Sequence, residues 1–147
     1  PYTTLFRSVT GPPAAVVSGA GPEDMWLFPE ATAVVEFIGG GKDEVPELWD
    51  AASPITYVDP AAATPPPPFL FVHGEEDWFV DLEHSLDMRD ALVAAGGQAE
   101  VFTIPGGGHV INRDAAGGRY DFGTSTDTAE AWLVIIDFLD RTIGGGR

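Results

Sequence analysis

Asp77 and His109 of this 147-residue chain have the chemistry of a proton relay. A carboxylate that accepts a hydrogen bond from one imidazole nitrogen fixes the ring's tautomer. It also stabilises the imidazolium formed when the other nitrogen takes a proton. Such a ring can act as general base for a hydroxyl nucleophile. Asp77 follows the apolar run 69–72 (FLFV) through the turn His73-Gly74-Glu75-Glu76. His109 follows the run 100–104 (EVFTI) through Pro105-Gly106-Gly107-Gly108. Taken singly, an Asp in a turn and a His after glycines are ordinary loop residues. Their chemical standing depends on whether both lie at neighbouring strand ends.

The patterning supplies those strands. Residues 69–72 and 100–104 each read as a buried strand. Between them, Asp81 can cap a helix with the stripe Leu82, Ser85, Met88, Leu92 and Ala95, stopped at Gly96-Gly97. One helix, one strand and two loops fill the stretch from Asp77 to His109, which makes the two strands parallel neighbours. In open parallel sheets functional groups gather at the carboxyl ends of strands. The carboxylate and the imidazole should therefore face each other at one edge. The glycines before His109 let the backbone turn tightly enough to aim the ring out of the sheet.

Upstream, residues 14–18 (AAVVS) predict another buried strand, ending at Gly19. Pro29 and Glu30 suit the first turn of a helix with the face Ala33, Val34, Phe37 and Ile38, stopped by Gly39 to Gly41. A short helix over 47–52 ends before Ser53-Pro54. The stretch 56–68 predicts loop, its four successive prolines extended. A last helix carries Ala129, Trp132, Ile136, Leu139 and Ile143 on one face, with Asp127 and Glu130 as a capping box. This order predicts an α/β fold of parallel strands with crossover helices.

Apolar residues make up 44% of the chain, enough for one compact domain with a real core. The formal net charge of −16 opposes binding to nucleic acid and to anionic membrane surfaces. The absence of cysteine excludes disulfides, thiolate metal sites and a Cys nucleophile. No apolar run is long enough to span a bilayer. Residues 1–8 (PYTTLFRS) fit no element and resemble a translated sequencing adapter. They are expected to be a non-native leader, with 9–147 forming part of a single domain.

Three segments, SPITYVDP at 53–60, FLFVHGEEDWFVDLEHSLDMRDALVAAG at 69–96 and PGGGH at 105–109, together resemble the C-terminal part of an α/β-hydrolase. The similarity is to carboxylesterases and feruloyl-esterase-like enzymes, and to prolyl-oligopeptidase-type serine peptidases. It covers about residues 14–143. The resemblance implies the C-terminal portion of an α/β-hydrolase fold, with an incomplete sheet. It implies that the H-G-x-x-D turn places the catalytic acid at Asp77 and the G-G-H loop the catalytic base at His109. One departure is large. The family's nucleophile elbow, G-x-S-x-G, precedes the acid in chain order, and no such motif occurs here. Ser18-Gly19-Ala20-Gly21 lacks the leading glycine in phase, and Ser53, Ser85 and Ser125 have no elbow. The H-G-G-type oxyanion loop is also missing. The resemblance thus places both upstream of this chain.

Other residues have simpler readings. His73 reads as a structural residue at its strand end, and His84 as solvent-facing. Glu75, Glu76 and Asp77 with His73 or His109 have hard-cation chemistry, but adjacent acids on a solvated turn read as surface, so no metal is expected. Trp26, Trp49 and Trp78 could line an acyl pocket. Trp78 is the best substrate-binding candidate because it follows Asp77. Trp132 is placed on the buried stripe of the last helix.

These readings converge on a serine hydrolase cleaving small carboxylic esters, needing no cofactor, with a small-molecule ester as its partner. The 147 residues alone should be inactive and should expose a strand edge. A prolyl-oligopeptidase-type peptidase and a non-catalytic hydrolase-like scaffold are the alternatives. A flavodoxin-like binding module would need a Gly-rich loop between strand and helix, and none is in phase.

Overall fold

The computed structural model describes residues 13–109 and 126–144. The expected leader and Ser125 lie outside these residues, as does the side chain of Asp127. Three parallel strands form one sheet in the order β1 (Val16–Gly19), β2 (Phe69–Gly74) and β3 (Ala99–Ile104). Two short helices, α1 (Thr32–Ile38) and α2 (Pro46–Ala52), lie between β1 and β2. Helix α3 (Glu83–Ala94) joins β2 to β3, and α4 (Thr126–Ile143) closes the chain. This is the α/β arrangement of parallel strands and crossover helices that the patterning predicts.

β2 is the central strand, and its side chains alternate between two cores. Leu70 and Val72 pack with Ile104 against Ala131 and Phe138 of α4. Phe71 packs with Met88 and Leu92 of α3. A strand buried on both faces needs a continuous apolar run, and FLFV supplies it. The stripe Ser85, Met88, Leu92 and Ala95 is buried as expected, and Gly96 ends α3 with φ of 79°. Asp81 Oδ1 accepts from the Glu83 N–H at 3.0 Å, so Asp81 does tie down the start of α3.

The segment between β1 and β2 builds a satellite core of Met25, Ile38 and Trp49. Lys42 Nζ donates to the carbonyls of Trp26 (2.9 Å) and Phe28 (2.8 Å) and lies 5.2 Å from the Trp49 ring centroid. Helix α1 starts later than Pro29, because Ala31 N–H closes a tight turn onto the Pro29 carbonyl. Its inward face is Val34, Val35 and Ile38, whereas Phe37 is 78% exposed.

Helix α4 is also turned from its expected phase. Residues 131–139 (AWLVIIDFL) are apolar on almost every side, so two stripes have helical spacing. The sheet takes Ala131, Val134, Ile135 and Phe138, where the small Ala131 allows close approach. Trp132 is left 58% exposed, with Leu133, Ile136 and Ile143 also outward. Among the described residues, β1 and β3 each pair only with β2, so both sheet edges lack a further strand partner. No helix among them is long and apolar enough to cross a membrane.

The helix phase has a direct stability test. Phe138→Ala should cost about 3–5 kcal/mol through cavity formation. Trp132→Ala should change stability by no more than about 0.5 kcal/mol. Urea unfolding of both variants checks this, and equal losses would contradict the observed phase.

Candidate active site

The β2–β3 register carries the chain directly into the site. Gly74 pairs with Ile104 at the carboxyl end of the sheet. Beyond it the two turns continue to pair: Glu75 N–H donates to the Ile104 carbonyl (3.1 Å) and Glu76 N–H to the Gly107 carbonyl (2.8 Å). A Cβ on Gly74 would lie 2.2 Å from the Gly107 carbonyl oxygen. The turns touch at backbone, and only glycine permits that approach. Gly106, with φ of 69°, reverses the second turn. Thr103 Oγ1 donates to Glu75 Oε1 at 2.8 Å and pins the rim.

This apposition brings Asp77 and His109 together. His109 Nδ1 lies 2.9 Å from Asp77 Oδ2. The carboxylate can only accept here, so Nδ1 carries the proton and Nε2 is the free basic nitrogen of the neutral ring. Asp77 is buried, and its Oδ1 accepts from the backbone N–H groups of Phe79 and Val80, each at 2.9 Å. A buried carboxylate needs such donors to remain ionised. The His109 ring is half-buried and packs on Phe79, with ring centroids 4.9 Å apart.

Trp78 is 85% exposed and meets Phe79 edge-on at 5.8 Å. Phe79 is therefore the aromatic against His109, a contact missed in the sequence; its signal is the turn in which Asp77 accepts from residues two and three further on. Trp49 is fully buried in the satellite core, and the exposed Trp26 packs on it with ring centroids 6.0 Å apart. His73 is buried at its strand end, with both ring nitrogens engaged.

His84 corrects an expectation: it is 1% exposed rather than solvent-facing. Its Nδ1 accepts from the Asp24 N–H at 3.2 Å, and its ring packs on Phe28 at 4.8 Å. The loop after β1 folds over this part of α3 and covers it. Burial lowers the His84 pKa, with His73 adding to that and Asp24, Asp81 and Asp87 opposing it.

The serines have other duties. Ser18 Oγ donates to Glu23 Oε1 at 2.7 Å, and Ser53 Oγ to the Trp49 carbonyl at 2.8 Å. Ser85 is buried against His73. Glu23, at the tip of β1, is a carboxyl that sequence reasoning missed. Burial pushes its pKa up, against the Ser18 hydrogen bond and a smaller electrostatic contribution from His73. Among the described residues, no three His, Asp or Glu side chains gather to hold a metal.

The parallel strands and crossover helices form an α/β-hydrolase fold. The model of the prolyl oligopeptidase family matches residues 13–134, and the chain belongs to that family of serine hydrolases. A truncated carbohydrate esterase from gut microbiota is 26% identical with a TM-score of 0.59, covering 85% of this chain and 42% of its own. A bifunctional GH43-CE protein from Bacteroides eggerthii is 28% identical with a TM-score of 0.59, over 88% of this chain and 16% of its own. An acylaminoacyl peptidase in complex with Z-Gly-Gly-Phe-chloromethyl ketone shares the fold at 17% identity and a TM-score of 0.65, over 88% of this chain and 20% of its own. The chain thus spans less than half the length of each of these structures. No curated protein matches it.

Two outcomes test the site's construction. Gly74→Ala should force the turns apart and cost about 1–3 kcal/mol, as overpacking does, seen as a lower urea midpoint at unchanged slope. The raised Glu23 pKa means the folded state holds that proton more tightly than the unfolded state. Stability should therefore fall as pH rises from the ordinary carboxylate range through the raised value, then level off. Glu23→Gln keeps an acceptor for Ser18 and should flatten this fall. Its advantage should grow as pH rises through the raised value and vanish below about pH 4. Urea midpoints from pH 3.5 to 8 measure it; an advantage that grows toward acid contradicts the assignment.

Proposed function

We propose that this chain carries the acid and base of a Ser-His-Asp serine hydrolase that cleaves small carboxylic esters. The nucleophilic serine and the oxyanion donors come from outside the 147 residues. The observation that carries the reading is the 2.9 Å contact between His109 Nδ1 and the buried Asp77 Oδ2. With Nδ1–H committed to Asp77, His109 Nε2 is the base that takes the serine's proton as Oγ attacks the ester carbonyl. The imidazolium then returns that proton to the leaving alcohol. Asp77 remains ionised throughout and balances the ring's positive charge. Trp78, exposed beside Asp77, offers an apolar face to the substrate. The chemistry calls for no cofactor.

Ester substrates are favoured over peptides because two similar structures, at 26% and 28% identity, are named as carbohydrate esterase or GH43-CE. The family's peptidase members are the second reading, supported by the family's own description and by the shared fold of the acylaminoacyl peptidase.

The test uses p-nitrophenyl acetate and a peptide anilide. A protein containing this chain together with its upstream serine should hydrolyse the ester faster. Asp77→Asn in that protein should lower kcat about 10⁴-fold, because the amide imposes the wrong tautomer on His109. The isolated 147 residues should show no turnover. Turnover by the isolated chain that disappears in His109→Gln would overturn the external-serine account. Preferential anilide cleavage would favour the peptidase.

A further inference from the structure

His73 is fully buried, and the relay described above does not use it. Its surroundings nevertheless determine which nitrogen holds its proton. Nε2 lies 2.9 Å from the Val80 carbonyl oxygen, which can only accept. Nε2 must therefore carry the proton and donate. Nδ1 is then bare and accepts from the Ser85 hydroxyl at 2.7 Å. Ser85 is itself fully buried on α3. The same Nε2 stands 3.3 Å from Asp77 Oδ2, the oxygen that faces His109.

His73 thus touches both ends of the turn that holds the acid. Through Val80 it fixes the segment whose N–H groups bind Asp77 Oδ1. Through its Nε2–H edge it presents partial positive charge to Oδ2, the oxygen that also faces His109. We propose that His73, locked by Ser85 as the Nε2–H tautomer, is the positioning residue that aims the Asp77 carboxylate at His109. The inference rests on the relay reading of Asp77 and His109. Glu23 on the loop after β1 and His84 on α3 are the other titratable groups whose fields reach His73.

In a flipped tautomer, the bare Nε2 would confront a carbonyl and a carboxylate together. Ser85 opposes that state by offering its proton to Nδ1. A Leu at position 73 fills the space but donates nothing. A Gln can carry an N–H donor toward the same acceptors.

The experiment is nitrogen-detected NMR of the histidine rings in the 147-residue chain, for wild type, His73→Leu, His73→Gln and Ser85→Ala. In wild type, His73 should be protonated at Nε2 alone, and His109 should show a protected Nδ1–H. In His73→Leu that proton should exchange with water roughly tenfold faster, the scale of one lost hydrogen bond. In His73→Gln the protection should be largely restored. Should His73→Leu fail to fold, Ser85→Ala carries the test, with mixed His73 tautomers and faster His109 exchange expected. Protonation of wild-type His73 at Nδ1 overturns the proposal. So does an unchanged His109 proton in folded His73→Leu or, where that variant is unfolded, in Ser85→Ala. A wild-type His109 with no Nδ1–H bond to Asp77 would instead remove the relay reading, and the positioning role with it.

Discussion

The turns after β2 and β3 meet at backbone distance, with Gly74 against Gly107. Parallel strands end level with each other only if their register is held to the last residue, and here the ladder runs through Gly74 and Ile104. Two further backbone hydrogen bonds extend the pairing past the sheet. The side chains that follow can then meet without any adjustment of the loops. Asp77 and His109 are far apart in sequence, yet their contact is a local consequence of strand register. Preorganisation of this kind matters because misplacement of a relay by about 1 Å can cost about a hundredfold in rate.

Burying an ionised carboxylate in a chain of net charge −16 is otherwise unfavourable. Asp77 meets that cost with donors rather than with a cation. Two backbone N–H groups occupy one oxygen, and two imidazoles face the other. Neutral donors stabilise the charge without cancelling it, so it remains available to an imidazolium at His109. Glu23, a short distance along the same edge, shows the contrasting case. It accepts a single hydroxyl hydrogen bond from Ser18, and burial is the largest influence, raising its pKa.

Much of this was legible in the residues. FLFV reads as a buried strand, and the glycines before His109 mark a tight turn. The register and the backbone approach at Gly74 were not read from the residues. What could not be read depended on contacts between distant segments. His84 lies on the α3 face that its own spacing marks as outward, and the loop at Asp24 to Phe28 covers it. Nothing local to α3 announces that cover. Trp132 illustrates a different limit. Where a helix is apolar on nearly every side, periodicity no longer selects a phase, and side-chain size at the contact decides. Ala131 lets α4 approach the sheet, and a Trp on that line would have held it off. Phe37 is exposed for a related reason, since a helix of seven residues has room to bury only one narrow stripe.

The two halves of this picture differ in how self-contained they are. The relay, its supporting turn, His73 and Ser85 all fall between β2 and the end of the β3 turn, with one helix between. Their hydrogen bonds close on one another, and among the described residues no buried side-chain polar atom lacks a partner. Among the described residues, the outer stripe of α4 is exposed and β1 has a strand partner on one side only. A site whose polar groups are mutually satisfied can keep its geometry while the surfaces around it stay open. That is why Asp77 and His109 can be aligned here beside surfaces left uncovered.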